Sequence, residues 1–221
     1  MPMPELFGLS TLLNKYCVYR AMLILHTALF ALQTDDLDEQ NLGATWAILH
    51  RIKTPQMIIY NNCSVEAGSS QGHKHIPIFP RQDSEVFQPF PSKALSTEGI
   101  TDDIEGVPFK HFVIRLPTGV PSDYVFQQYR RLLNATKSAL RDANAGGDYN
   151  LVLVRECLAL TPRRCKGYGE DFIANAASMV GMMWMTSEEQ RDKLLKLDLP
   201  GLSGTLGIPL QGALVGIEKP H

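Results

Sequence analysis

Asn62-Cys63-Ser64-Val65-Glu66-Ala67-Gly68-Ser69-Ser70-Gln71-Gly72-His73-Lys74-His75-Ile76-Pro77-Ile78-Phe79 carries more chemical information than any other part of this chain. The small residues at 68–72 form a loop whose backbone N–H groups can approach an anion, because glycine puts no side chain in the way. The strand leaving that loop, read from His73 onward, sets His73 and His75 at positions i and i+2. Side chains alternate along a strand, so both imidazoles face the same side. Two co-facial imidazoles beside an anion-binding loop suit chemistry at phosphorus: one attacks, the other orients or protonates. A neutral imidazole is nucleophilic near pH 7 because its ordinary pKa is about 6.5.

Three other readings of the same residues stand beside this one. A metal site on His-x-His wants a nearby carboxylate and usually a third histidine. Here the next acids are Asp83 and Glu85, beyond a proline-interrupted run, and no histidine follows until His111. Two histidines on a polar strand face with a purely structural role are the plainest alternative. Ser69 or Ser70 as a serine nucleophile lacks the G-x-S-x-G elbow.

Outward from this stretch, the chain is ordinary globular material. Its 221 residues, 44% hydrophobic and 20% charged, predict a single domain spanning 1–221, with a long loop at about 81–107. The net charge of −2 excludes a polybasic nucleic-acid binder. The longest apolar run, 21–32, is broken by His26 and Thr27 and is too short to cross a bilayer. The first residues, Met1-Pro2-Met3-Pro4-Glu5, have no signal-peptide character. Cys17, Cys63, Cys157 and Cys165 are scattered without a C-x-x-C pair, which predicts reduced thiols and a cytoplasmic location.

Periodicity and capping signals predict the elements. The run 17–27 is apolar enough for a buried strand or a helix. Asp35-Asp36-Leu37-Asp38-Glu39 offers an acidic helix start, so 36–51 is expected to be a helix with Leu42, Trp46 and Leu49 inward. Strands are expected at 56–61, from 73 to 79, and at 109–116. Ser122-Asp123 opens an amphipathic helix to about 144. Strands at 149–155 and 157–161 pair, a third strand is expected at 176–185, and a helix follows Thr186 or Ser187. Strands and helices in this mixture predict an α+β fold, a largely antiparallel sheet with flanking helices.

Taken with two further segments, the loop and its histidines resemble the diadenosine polyphosphate phosphorylases, also called ATP adenylyltransferases, of the histidine triad superfamily. Leu12-Leu13-Asn14-Lys15-Tyr16-Cys17-Val18 and Leu23-Ile24-Leu25-His26-Thr27 are similar to the family's Leu-Asn-Lys-Phe-x-Val and Leu-Leu-Leu-Val-Thr runs. Tyr149-Asn150-Leu151-Val152-Leu153, Pro162-Arg163-Arg164 and the run 173–185 are similar to its late segments. The matches fall in the family's order over residues 10–210.

The resemblance implies a histidine-triad-like fold and a nucleotidyltransferase or hydrolase acting on dinucleoside polyphosphates or related nucleotides. His75 matches the family nucleophile, which would form a histidine–AMP intermediate, with His73 beside it. Gly68, Ser69, Ser70 and Gln71 match the phosphate loop, and Asn62 matches a nucleotide-contacting asparagine. Lys15, Lys74, Arg155 and Arg163 are the cations near these motifs. Lys15 and Arg155 are the candidate substrate ligands; Lys74 points to the other face of its strand, and a solvated surface charge is the alternative for each. No resident cofactor or metal is expected, although a magnesium ion can arrive on a nucleotide. The expected partner is a small molecule, a nucleotide first, with no nucleic acid and no membrane; a homodimer is compatible with the fold.

Three departures accompany the resemblance. Pro77 stands where the family has a glutamine that donates a hydrogen bond to the transferred phosphate. Arg20-Ala21-Met22 replaces a proline-to-histidine segment, and the chain begins about where the family's second strand does. Two alternatives follow: a repurposed enzyme with His73 and His75 as acid and base on a non-nucleotide substrate, or a non-catalytic nucleotide-binding paralogue.

Overall fold

The computed structural model describes residues 8–15, 22–52, 57–81, 99–169 and 172–210. Its strands are β1 (Leu9–Leu13), β2 (Leu23–Thr27), β3 (Met57–Asn62), β4 (His75–Pro80), β5 (Phe112–Arg115), β6 (Tyr149–Leu153), β7 (Cys157–Pro162), β8 (Gly167–Tyr168) and β9 (Phe172–Ile173). The helices are α1 (Glu39–Arg51), α2 (Ser122–Asp142), α3 (Ala176–Met179), α4 (Glu188–Leu194) and α5 (Leu199–Leu206). Among the described residues, seven strands form one sheet in the order β1-β2-β4-β3-β6-β7-β5. Every neighbouring pair in it is antiparallel. The fold is therefore α+β, a largely antiparallel sheet with flanking helices, as the histidine-triad resemblance leads one to expect.

Period-two alternation divides the core. Leu25, Ile59, Ile76, Ile78, Leu151, Leu153, Leu158 and Leu160 turn one way and pack with Leu42, Trp46 and Leu49 of α1 and Val125, Tyr129 and Leu132 of α2. The residues between them turn the other way: Met22, Ile58, Phe79, Val152, Cys157 and Ala159 pack with Ala176, Ala177 and Val180 in and after α3. Burial of a side chain of this size stabilises by roughly 1.5–3 kcal/mol. Two long helices thus close one face, while the short α3 covers only part of the other. The uncovered part, over β1, β2 and β4, holds the candidate site.

The structure corrects several element boundaries. α1 is capped by Asp38, whose side chain accepts from the Asn41 N–H, so the helix starts three residues later than expected. α2 has Pro121 as its cap, without a side-chain hydrogen bond, and Ser122 is already helical. The expected strand at 176–185 is not one: Asn175 accepts from the N–H groups of Ala177 and Ser178 and starts α3. An apolar run without polar alternation reads as buried in either conformation, and here the cap decides. The strand expected from His73 begins at His75, and His73 makes an isolated bridge to Leu32. Of the loop expected at 81–107, residues 82–98 lie outside the described ones, as do 17–21 of the first apolar run.

One buried cation ties the late elements together. Arg163, which no solvent reaches (0% exposed), is held by Asn150 Oδ1 at 2.6 Å and by the carbonyls of Cys165 (2.8 Å), Ala174 (3.2 Å) and Leu206 (3.3 Å). Burial pushes its pKa down to about 10, so it stays charged at neutral pH. Neither the substrate-cation nor the surface-charge reading of Arg163 survives this placement. In Arg163→Met the four acceptors lose their donor, and stability is expected to fall by roughly 3–5 kcal/mol. Urea unfolding checks this, and a loss below about 1 kcal/mol would contradict it.

Candidate active site

The register of β2 against β4 fixes the site. His26 lies opposite His75 and Ile24 opposite Pro77, so His26, Ile24, His75 and Pro77 share one face of the sheet with Met22 and Phe79, whose buried ends pack toward α3. They form the floor of a cavity of about 690 Å³, walled by Asn62, Gly68, Ser70, Gln71, His73, Asn175 and Trp184. Both sequence-derived histidines are there.

A buried carboxamide sets the position of His75. The β3–β4 register runs through Met57↔Pro80, Ile58↔Phe79 and Ile59↔Ile78 and stops before Pro77, which has no N–H to continue it. Beyond that point Gln33, 4% exposed, inserts its side chain between the two strands. It accepts from the His75 N–H at 2.7 Å and donates to the carbonyls of Asn62 (2.6 Å) and His75 (3.2 Å). The Gln33 N–H donates to Gly72 O, anchoring the end of the loop as well. The side chain behaves as a one-residue strand.

The His75 ring is held in one tautomer. Its Nδ1 lies 2.9 Å from His73 O; a carbonyl only accepts, so Nδ1 carries the hydrogen and Nε2 keeps its lone pair. Burial pushes the His75 pKa below its usual value, with nearby His73 and His26 acting in the same direction and the His73 carbonyl opposing them. The ring is therefore neutral and basic at Nε2. His73 turns its Nε2 toward Thr27 Oγ1 (2.9 Å) and Leu29 O (3.3 Å), which leaves its Nδ1 as the free nitrogen.

Asn62 closes the floor. Its Oδ1 accepts from Asn150 Nδ2 (2.9 Å) and from the Ala176 N–H at the start of α3 (2.7 Å). Asn150 is in turn held by Arg163 and donates to Ala67 O. Gly68 has a structural reason of its own. Its φ is +93°, and a Cβ there would lie 2.4 Å from Ala174 O and 2.7 Å from Asn175 Cα, so the loop meets the α3 cap only as glycine.

The loop differs from the expected cradle of backbone amides. The N–H groups of Gly68 and Ser69 donate to Val65 O and Ser64 O within the loop. Ser69 is buried, with its hydroxyl on Gln71 O, and is not among the lining residues; Gly68, Ser70 and Gln71 line the cavity. Arg155 is also elsewhere: it donates to Leu49 O (2.8 Å) and Ile52 O (2.9 Å) at the end of α1, attracted by the carbonyls that a helix terminus leaves open. Lys74 is buried and donates to Asp36 O. Lys15 is exposed and outside the lining. Among the described residues no group of three or more His, Cys, Asp or Glu side chains could hold a metal, and no helix is long and apolar enough to cross a membrane.

Sequence reasoning missed Gln33 and His26. Gln33 carried no signal, because its partners lie 28 to 42 residues away. His26 carried one: a single imidazole interrupting an apolar strand, in step with Met22 and Ile24.

Two predictions follow from these contacts. Gln33→Leu leaves the His75 N–H and two carbonyls without partners, so stability is expected to drop by about 2–4 kcal/mol by chemical denaturation. An unchanged midpoint would mean that the wedge is dispensable. Protonation of His75 and of His111 is disfavoured in the fold, in both cases mainly by burial. Just below pH ~6.5 the unfolded chain therefore binds more protons, and stability rises with pH there. This contribution is complete above about pH 6.5 and is lost as pH falls through the native values, at up to ~1.4 kcal/mol per pH unit for each group. Thermal midpoints should fall on acidification, less steeply in His75→Asn; a flat profile would refute the assignment.

Comparison with known proteins adds family evidence. The sequence profile of the Ap4A phosphorylase N-terminal domain matches residues 9–97, and that of the ATP adenylyltransferase C-terminal domain matches 105–209. Diadenosine tetraphosphate phosphorylase 2 of Saccharomyces cerevisiae is 27% identical over 212 residues, covering 84% of this chain and 64% of that protein; the chain thus spans less than two thirds of that relative. Crystal structures of yeast Ap4A phosphorylase share the fold. The AMP complex superposes with a TM-score of 0.79 at 24% identity, over 93% of this chain and 75% of the other. The Ap4A complex gives 0.78 at 23%, over 91% and 74%.

Proposed function

Because the chain belongs to the Ap4A phosphorylase and ATP adenylyltransferase family, we propose that it transfers or hydrolyses a nucleotidyl group of dinucleoside polyphosphates or related nucleotides, through a covalent bond to His75. The observation that carries this reading is the His75 Nδ1 contact with His73 O, which leaves Nε2 as a lone-pair nitrogen on a ring that lines the cavity.

In this reading Nε2 attacks an α-phosphorus. The new N–P bond forms as the bond to the bridging oxygen breaks, and the nucleoside polyphosphate leaves with that electron pair. Phosphate or water then attacks the same phosphorus, and the N–P electrons return to Nε2. This reading assigns Ser70 and Gln71 to hold phosphoryl oxygens and Asn62 to meet the nucleotide; its support is that all three line the cavity. A fixed donor of this kind contributes about 100- to 1000-fold in rate where charge develops. The reading also takes the chain as one cytoplasmic domain, with any magnesium brought in by the nucleotide. Its single-domain part is supported by β3 pairing with β6, which joins the spans of the two profiles in one sheet.

A second reading is favoured by Pro77 and Ile24 on the floor and by the lack of lysine or arginine among the described lining residues. There a less charged substrate fills the cavity, and His73 and His75 act as acid and base.

Intact-protein mass spectrometry after brief incubation with Ap4A separates the two. The first reading expects a gain of one adenylyl group in the native protein, none in His75→Ala, and turnover at least about a thousandfold slower in that variant. No adduct and unchanged breakdown in His75→Ala would overturn it. Binding without adduct or breakdown would leave a nucleotide-binding protein.

A further inference from the structure

The cavity holds a third imidazole that the mechanism above does not use. His26 is the direct cross-strand neighbour of His75, and its ring meets that of His73 edge-on with centroids 5.9 Å apart. Its Nδ1 lies 3.1 Å from Thr27 O, so Nδ1 carries a hydrogen and Nε2 is left without a protein partner in that contact. His26 also lines the cavity.

The charge balance of the lining is unusual for a polyanion site. Among its described residues there is no lysine, arginine, aspartate or glutamate. Among the described lining residues His26, His73 and His75 are the side chains able to carry a positive charge. His75 is kept neutral, and His73 is tethered to Thr27 and Leu29. The groups facing His26 are His75 from β4 and His73 from the loop. Its β1 partner is Ser10, with Leu12 next on that face, and α3 with its cap presents Asn175 and Ala177. Among the described lining residues a positive charge on His26 meets no carboxylate, and it holds His75 in the unprotonated form that attack requires.

We propose that His26 is a polyphosphate-binding residue, taking up a proton when substrate binds and supplying the cation that faces the phosphate chain beside His75. This rests on the phosphate-substrate reading above. It divides the work between two cross-strand imidazoles: His26 charged and binding, His75 neutral and reacting. Pro77, the next residue on the face after His75, offers no donor of its own.

The probe is a diadenosine tetraphosphate analogue with methylene in place of the α,β-bridging oxygens, which cannot be cleaved there and has no terminal phosphate to titrate. Calorimetric titration in two buffers of different ionisation enthalpy reads proton uptake directly. The native protein is expected to take up most of one proton per molecule bound near pH ~7.5, and affinity should fall on the order of tenfold between about pH 6 and pH 8. His26→Gln should lose the uptake and about tenfold in affinity near pH 6, while His26→Lys should bind tightly with little pH dependence. Binding by the native protein without uptake overturns the proposal with no variant needed, which covers the case in which a variant does not fold. Unchanged uptake in His26→Gln overturns it too, and both results leave the phosphate reading standing. No binding by the native protein at millimolar analogue overturns the phosphate reading and the role of His26 with it.

Discussion

The pairing of Ile59–Asn62 with Asn150–Leu153 joins the first and second halves of the chain, and Asn62 at its end is the point from which the site is built. One amide there receives Asn150 and the first N–H of α3, and its backbone carbonyl receives Gln33. Strand, helix and loop are thus referred to a single residue. The cavity floor keeps its geometry because each of these contacts is short and at least partly buried.

Shielding makes such contacts consequential. A buried polar group without a partner is costly, whereas a satisfied network is rigid and specific. Arg163 holds Asn150, Asn150 holds Asn62, and Gln33 binds both backbone groups of His75. The chain of contacts runs from a buried guanidinium to the ring that is read as the nucleophile. Each link fixes an orientation that the apolar core, being non-directional, would leave loose.

Against this rigid frame the electrostatics of the cavity are soft. Its lining holds imidazoles in place of permanent charges among the described residues, so its charge state responds to what enters. Burial keeps His75 neutral. The tautomer is set by a backbone carbonyl two residues away, a local device that any strand beginning His-x-His can form.

Much of this was legible in the sequence, for local reasons. Apolar alternation gave the sheet, spacing put His73 and His75 on one side, and the capping residue of α4, Ser187, was readable from its acidic first turn. Local signals failed where two outcomes shared one pattern: Ala176 onward reads as buried whether strand or helix, and only the Asn175 cap selects helix. Gly68 and Ser69 looked like ligand-facing residues because small loop residues do so in general. Tertiary contact with Asn175 and with the loop's own carbonyls gives them structural duties, although Gly68 also lines the cavity. Arg155, Arg163 and Lys74 looked like surface or substrate cations because sequence shows charge and not burial. The sequence by itself determined most of the strands, the helices α1, α2 and α4 and the paired histidines, since those depend on neighbours a few residues apart. Only the tertiary structure decided that Gln33 replaces a strand partner and that His26 stands across from His75, because hydrogen bonds and strand register between distant segments leave no periodic trace in the chain.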